Sequence, residues 1–563
     1  MTKNTRGSTV ALLALYAIAS GCDAANAGFT IFRHASVLPM DRDVVLANWD
    51  VVVRGDRIVS LSPDKDVHIT SADTVIDATG EFLLPGLVDF HTHPSPSDLV
   101  SDVFYGVTTI ATFDGEPLQW REAHVRLSED VPNIISTTRI MDGPVPTWLG
   151  NYAIGDPGAV PAILDRQMAL GASMAKVYSQ MTLPIMKAIV EQAHLRGMPV
   201  AGHVPEGLPM DYVLGPAGLD LVAHSEELTH YLNASPTDAQ ITGVVTQVAR
   251  NDIAVIPDLV VIEKIPDLAT RADRALAGPG AQYLAPADFQ ESLPRNNPYA
   301  HRANVLKFVA AIRRQLALQE VLTKRLAAAG VLLVSGTDAD DNCLPGEALH
   351  EELRLLVKSG LGNYAALRTA SFNAGIFVAA EIRSQAGDRF GVIAPGARAD
   401  LLLVNGNPLQ DLSALERISG SMVAGHWRQQ RELARARADL LPALQKAHAR
   451  IQQYERLMAA NDIPALIALL DATRHESDPP FSPNVLSADA LALARRGRQT
   501  DAIELLTHAE RLAPESIALH NTLGEIALQA GKPGTARQAF SDTLSIAPHD
   551  WVAEQGLRGS PQP

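Results

Sequence analysis

Eight short apolar runs, spaced through the middle of the chain and separated by segments of mostly helical character, constrain this fold more than any other feature. They lie near residues 84–91, 107–112, 133–140, 173–178, 198–203, 219–224, 252–257 and 331–337. Continuous apolar runs read as strands buried on both faces, which occur in parallel sheets covered by helices. Regular alternation of such strands with helices predicts an α/β fold, a parallel sheet closed as a (β/α)8 barrel.

Several runs end on a polar residue with metal-ligand chemistry. The first closes as Val88-Asp89-Phe90-His91-Thr92-His93. Side chains two apart on a strand share a face, so His91 and His93 project together, as half of a metal site. The fourth run carries Lys176 and then Tyr178, the fifth ends at His203, the sixth at His224 and the eighth at Asp338. In parallel barrels the C-terminal strand ends carry the chemistry, because the following loops gather there.

The segments PGLVDFHTH, GVTT (Gly106 to Thr109), AKVY, the stretch from Glu191 to Gly207, LVAHSEE, LLVSGTDAD, PGEALHEEL (Pro345 to Leu353) and the stretch from Gly391 to Val404 occur in this order. As a set the chain resembles the amidohydrolase superfamily, in the branch of imidazolonepropionase-like enzymes and metal-dependent dipeptidases, over residues 28 to 430. The resemblance implies a binuclear centre of two divalent ions, zinc being the expected metal. His91, His93 and Asp338 would hold one ion and His203 and His224 the other. Lys176 would bridge them as a carbamate, since a free ammonium has no lone pair to offer. The implied activity is hydrolysis of a C–N bond in a dipeptide, N-acyl amino acid or cyclic amide by a metal-bridged hydroxide, with Asp338 as the proton-transferring group.

Around that set, Tyr178 faces the same side as Lys176 and is a candidate donor to the substrate oxygen, and His350 is a second candidate substrate contact. Asp89 is either an acceptor behind the histidines or a structural strand-end carboxylate. His203-Val204-Pro205-Glu206 has the H-x-x-E spacing of the superfamily's deaminases, so a mononuclear deaminase stands as an alternative, as does lactone or ester hydrolysis on the same fold. A third alternative is an inert, lipid-anchored scaffold. The partner expected is a small amide or peptide. A formal charge of −16 argues against nucleic acid, whose phosphates demand a basic face.

A chain of 563 residues exceeds one core. Residues 1–22 read as an export signal: Lys3 and Arg6, an apolar stretch from Val10 to Ile18, then Ala19-Ser20-Gly21-Cys22. Cys22 resembles a lipoprotein attachment site, which predicts a periplasmic or membrane-anchored protein of a bacterial envelope. Cys343 is then the one cysteine of the body, beside the expected site. Residues 28–82 and 390–430 are strand-rich and, by the resemblance, pair in one β-sandwich beside the 83–389 hydrolase barrel. Residues 432–563 read as helical. Gly497, Ala502 and Pro514 recur as Gly531, Ala536 and Pro548, a 34-residue period that resembles tetratricopeptide repeats. This extension reads either as a surface for a protein partner or self-association, or as a packing extension, and is expected to be dispensable for chemistry. Loops 142–157 and 260–302 are candidate pocket walls, with Arg139 and Arg295 as candidate partners for a substrate carboxylate.

Overall fold

In the computed structural model the described residues are 28–63, 69–115, 131–278, 280–339, 343–474 and 480–560. The expected export signal, with Cys22, lies outside them. Among the described residues no helix is long and apolar enough to cross a membrane.

The fold is mixed α/β with parallel sheets. Strands Leu87–Thr92, Val107–Thr112 and Asn133–Ser136 pair in parallel as one sheet. A second parallel sheet includes Ala175–Val177, Val200–Gly202, Leu221–Ala223 and Ala254–Ile256, in that spatial order. Single parallel bridges link the two: Thr137 to Met174 on one side, and Val255 to Leu333 and Thr92 to Ala339 through the eighth apolar run on the other. One buried cluster draws on every parallel run, with Val88, Phe90, Ala111, Ile135, Met174, Ala201, Leu221, Ala223, Ala254, Ile256 and Val334. Phe377 of the helix Phe372–Glu381 meets Phe90 edge to face, ring centres 5.5 Å apart. The alanines keep this interior narrow, so strand ends approach one another closely.

The two strand-rich flanks, expected to form a small sandwich, are hydrogen-bonded in one eight-stranded sheet. The seam is the antiparallel pair Phe82–Pro85 with Leu401–Val404, in which Leu84 faces Leu402. Strands Leu46–Arg54 and Arg57–Pro63 turn through Gly55-Asp56, where Gly55 has φ +55°, as the hairpin signal predicts.

After the last strand, His426–Gln429, the chain is helical to its described end. Helices Pro483–Arg495 and Gln499–Ala509 are followed, 34 residues later, by Ile517–Gln529 and Pro533–Ile546, the period read from the sequence. These helices are tied to the α/β body at the helix Asp98–Phe104, where Arg437 stacks over the Phe104 and Tyr105 rings, and at two loops. At the 260–302 insertion, Arg295 pairs with Glu455 and Asp489, the Ser482 amide donates to Gln290 at 2.8 Å, and the His448 and Phe289 rings stack at 3.9 Å. At the 142–157 loop, the Tyr152 hydroxyl donates to the Pro548 carbonyl and the Ala153 amide to Asp550 at 3.1 Å. The two arginines considered as substrate-carboxylate partners face this extension instead: Arg295 is bound to its acids, and the Arg139 guanidinium lies 4.0 Å from Glu515.

Candidate metal centre

The expected ligands meet where the parallel strands end. His91 is the fifth residue of Leu87–Thr92, and its carbonyl accepts from the amides of Thr337 and Asp338, at 3.0 and 2.7 Å. That pair of bonds pins the eighth run to the first. His224 and Asp258 follow directly on Leu221–Ala223 and after Ala254–Ile256. His224, Asp258 and Asp338 all have positive φ, +63°, +49° and +50°. Left-handed backbone is costly for residues with a Cβ, and such strain gathers at functional sites. Here it turns three side chains inward, two just past strands and one at the end of the eighth run, which pairs through single bridges only. Gly336 makes room for them: an added Cβ would lie 2.6 Å from the His91 Cβ and 2.8 Å from an Asp258 oxygen.

The Nδ1 atom of His91 lies 2.7 Å from Asp258 Oδ2, with both side chains wholly buried. Burial lowers the His91 pKa to about 3, so its ring is neutral. A neutral imidazole that donates from Nδ1 presents a lone pair at Nε2. That Nε2 stands 3.1 Å from Asp338 Oδ1. His93 Nε2 is 3.1 Å from the same oxygen, and His224 Nε2 is 3.8 Å from Asp338 Oδ2. Three imidazole nitrogens converging on one carboxylate at this spacing suit a cation between them. Ligand atoms of His91, His224 and Asp338 all lie within 4.8 Å of one another, a group that could hold a metal ion.

Lys176 and His203 lie beside this group. The buried Lys176 amine is 3.5 Å from His203 Nδ1 and 4.6 Å from the Phe113 ring centre. Burial lowers the Lys176 pKa to about 8. The rings of His203 and His224 are 4.8 Å apart, centre to centre. Gly202, with φ +138°, lets the two strands close, since a Cβ there would meet the Val177 carbonyl oxygen at 2.2 Å. Tyr178 packs its ring 4.0 Å from that of His203, and its hydroxyl accepts from the Trp148 indole at 2.9 Å.

The structure thus brings together His91, His93, Lys176, His203, His224, Asp338 and Tyr178. It does not bring His350 there: that side chain, in the helix Glu347–Lys358, bonds the Tyr105 carbonyl at 2.8 Å and meets the Tyr105 ring edge on. Burial among apolar helices lowers its pKa to about 4. Asp89 accepts from the Thr337 hydroxyl and amide, at 2.6 and 3.1 Å, and so braces the eighth run. Glu206 is exposed, and its amide donates to the Ser179 carbonyl at 2.8 Å. Cys343 is buried.

Sequence reasoning missed Asp258, Trp148 and Glu227. Asp258 bonds His91 and also accepts from the His224 amide at 3.2 Å. Its signal was present, because the seventh run ends one residue after Ile256 at Pro257-Asp258, as the other runs end on polar residues. Glu227 accepts from the Val204 amide at 2.9 Å and lies 3.9 Å from His203 Nε2, and burial raises its pKa to about 8. Trp148 sits in an irregular loop where no periodicity marks it.

No family model matches this chain. An adenine deaminase from a Chelativorans species is 30% identical over 191 residues, 31% of this chain and 32% of that protein. A dihydroorotase from Anoxybacillus flavithermus is 38% identical over 64 residues, 11% of this chain and 14% of that protein. The chain therefore matches a third or less of the length of these curated relatives. Among solved structures, bottromycin amidohydrolase aligns with a TM-score of 0.56 and 23% identity, over 74% of this chain and 90% of its own. A Xaa-Pro dipeptidase aligns with a TM-score of 0.54 and 17% identity, over 71% of this chain and all of its own (100%). These structural likenesses concern the fold. Together, relatives and fold support the amidohydrolase-superfamily resemblance of the chain.

Proposed function

We propose that this protein is a binuclear metal hydrolase of the amidohydrolase superfamily, cleaving a C–N bond in a small amide or peptide substrate. In this reading the eight parallel runs of residues 83–389 form one (β/α)8 barrel, flanked by the sheet of 28–82 and 390–430 and by tetratricopeptide-like helices over 432–563. The amino-terminal signal and Cys22 add an envelope location. The observation that carries the reading is the convergence of His91, His93 and His224 Nε2 on the Asp338 carboxylate, at 3.1, 3.1 and 3.8 Å.

His91, His93 and Asp338 fit one cation, His203 and His224 lie where they could serve a second, and Lys176 lies beside both. When bound, divalent ions of the zinc type supply acidity to water and polarise a carbonyl. The chain's own groups do the rest. A neutral Lys176 amine adds to carbon dioxide, loses its proton and becomes a carbamate with two oxygens to offer. Asp258 fixes the His91 tautomer from behind. Asp338, at the mouth of the cluster, accepts a proton from the attacking water and delivers it to the leaving nitrogen. The Tyr178 oxygen takes the Trp148 N–H, so its own proton is left to donate to the substrate carbonyl oxygen as charge develops there.

A library of dipeptides and N-acyl amino acids, incubated with zinc-loaded protein, tests this. Release of carboxylate and amine in equal amounts is expected. Ammonia as the sole nitrogen product, from nucleobase or nucleoside substrates, would instead establish the deaminase alternative.

A further inference from the structure

The loop that walls the site on its lysine side is anchored from the far end of the chain. Residues Met141–Asp142 and Tyr152–Ala153 form a short parallel pair in which Ala153 stands opposite Asp142. The buried Asp142 carboxylate organises everything between them. One oxygen accepts from the amides of Gly143 and Gln180, at 2.9 and 2.8 Å. The other accepts from the Thr147 amide at 2.7 Å and the Asn151 side chain at 3.1 Å. Trp148 sits at the crest of this loop, and its indole reaches the Tyr178 hydroxyl.

The outer strand of the pair is clamped by the C-terminal helices. The carboxylate of Asp550 is wholly buried. Its Oδ2 accepts from the Ala153 amide at 3.1 Å, and its Oδ1 accepts from Asn521 at 3.2 Å and from the Ala553 amide at 3.0 Å. Tyr152 reaches the Pro548 carbonyl, and Arg166 donates to the Ser545 carbonyl at 3.0 Å. Gly155 lies flat against Trp551, where an added Cβ would come within 2.1 Å of the indole.

We propose that Asp550 is a positioning residue for the reaction at the histidine cluster, acting through the Ala153–Asp142 strand pair and Trp148 on the Tyr178 hydroxyl. The inference rests on the amide-hydrolase reading. The chain of contacts is continuous: Asp550 to Ala153, Ala153 beside Asp142, Asp142 to the loop, Trp148 to Tyr178, Tyr178 to His203. A backbone amide bound to a buried carboxylate cannot slide without losing a charge-assisted bond. The helical extension therefore does more than pack. It sets the height of the loop that aims a hydrogen-bond donor at the substrate oxygen, and misplacing such a donor costs turnover more than binding.

The test uses the full, metal-loaded chain carrying Asp550→Ala, Trp148→Phe or both. In Asp550→Ala, amide hydrogen exchange over residues 143–154 should quicken, metal content should stay that of the wild type, and kcat should fall about 10- to 100-fold with KM little changed. Trp148→Phe should lower kcat likewise, and the double variant should lose no more than the worse single one. Ser516→Ala is the control. It removes a helix cap of the same kind, on the Leu519 amide, and should leave turnover unchanged. Unchanged exchange in Asp550→Ala, or an equal loss in Ser516→Ala, would overturn the proposal. If Asp550→Ala does not fold, Asp550→Asn replaces it, since it keeps the size but sets an amide donor against a donor. A wild type that hydrolyses no amide defeats the reading of the reaction, and the exchange measurement alone then decides the anchoring.

Discussion

His91 Nδ1 and Asp258 Oδ2 stand 2.7 Å apart with no solvent access to either side chain. This bond selects which imidazole nitrogen faces Asp338. Asp258→Asn would turn an acceptor into a group that can offer N–H to the same nitrogen and reverse the tautomer. Metal affinity should fall about 10- to 100-fold while the fold persists. Competition with a chelating dye, alongside circular dichroism, measures both.

Lys176 is buried between Phe113 and His203, where neither a long planar cation nor a truncated side chain can replace it. Lys176→Arg should lose turnover, because guanidinium cannot ligate a metal. Lys176→Ala should lose it too and regain part of it when short carboxylic acids are added. Near-normal turnover in the arginine variant would remove the carbamate bridge.

Gly336 packs closely behind the site. Gly336→Ala would drive a methyl into His91, Ile256 and Asp258. The strain should cost about 1–3 kcal/mol and lower metal affinity together, measured by thermal unfolding with and without zinc. A variant as stable as the wild type would mean that the strand ends are less closely packed than described.

Asp338→Asn keeps an oxygen ligand and removes the proton acceptor. Turnover should fall by roughly two to four orders of magnitude with metal retained. Retained activity would move the proton-transfer role to another group.

Much of this site was legible because strand ends leave a local trace. An apolar run that stops at a histidine, a lysine or an aspartate records both its burial and its chemistry, and His91, His93, Lys176, His203, His224 and Asp338 were found that way. Asp258 bears the same mark but stands two residues past its strand, beyond Pro257, where the apolar run has already ended. Trp148 and Asp550 could not be found so. Their roles depend on contacts between residues 30 and 397 positions apart, which no local pattern encodes. His350 shows the converse: it sits inside a recognisable motif, yet the helix Glu347–Lys358 turns it to the Tyr105 carbonyl. The extension was legible as helices and as a 34-residue period. Its grip on the body was not, because Arg295, Glu455 and Asp489 look like ordinary surface charges until the helices are docked.

The metal content of the purified chain, after supplementation with zinc and bicarbonate, tests the centre most directly. Elemental analysis should find close to two ions per chain in the wild type and fewer in Asp338→Ala. A wild-type stoichiometry that stays at one would contradict the binuclear centre, and a chain that retains none would contradict the metal site altogether.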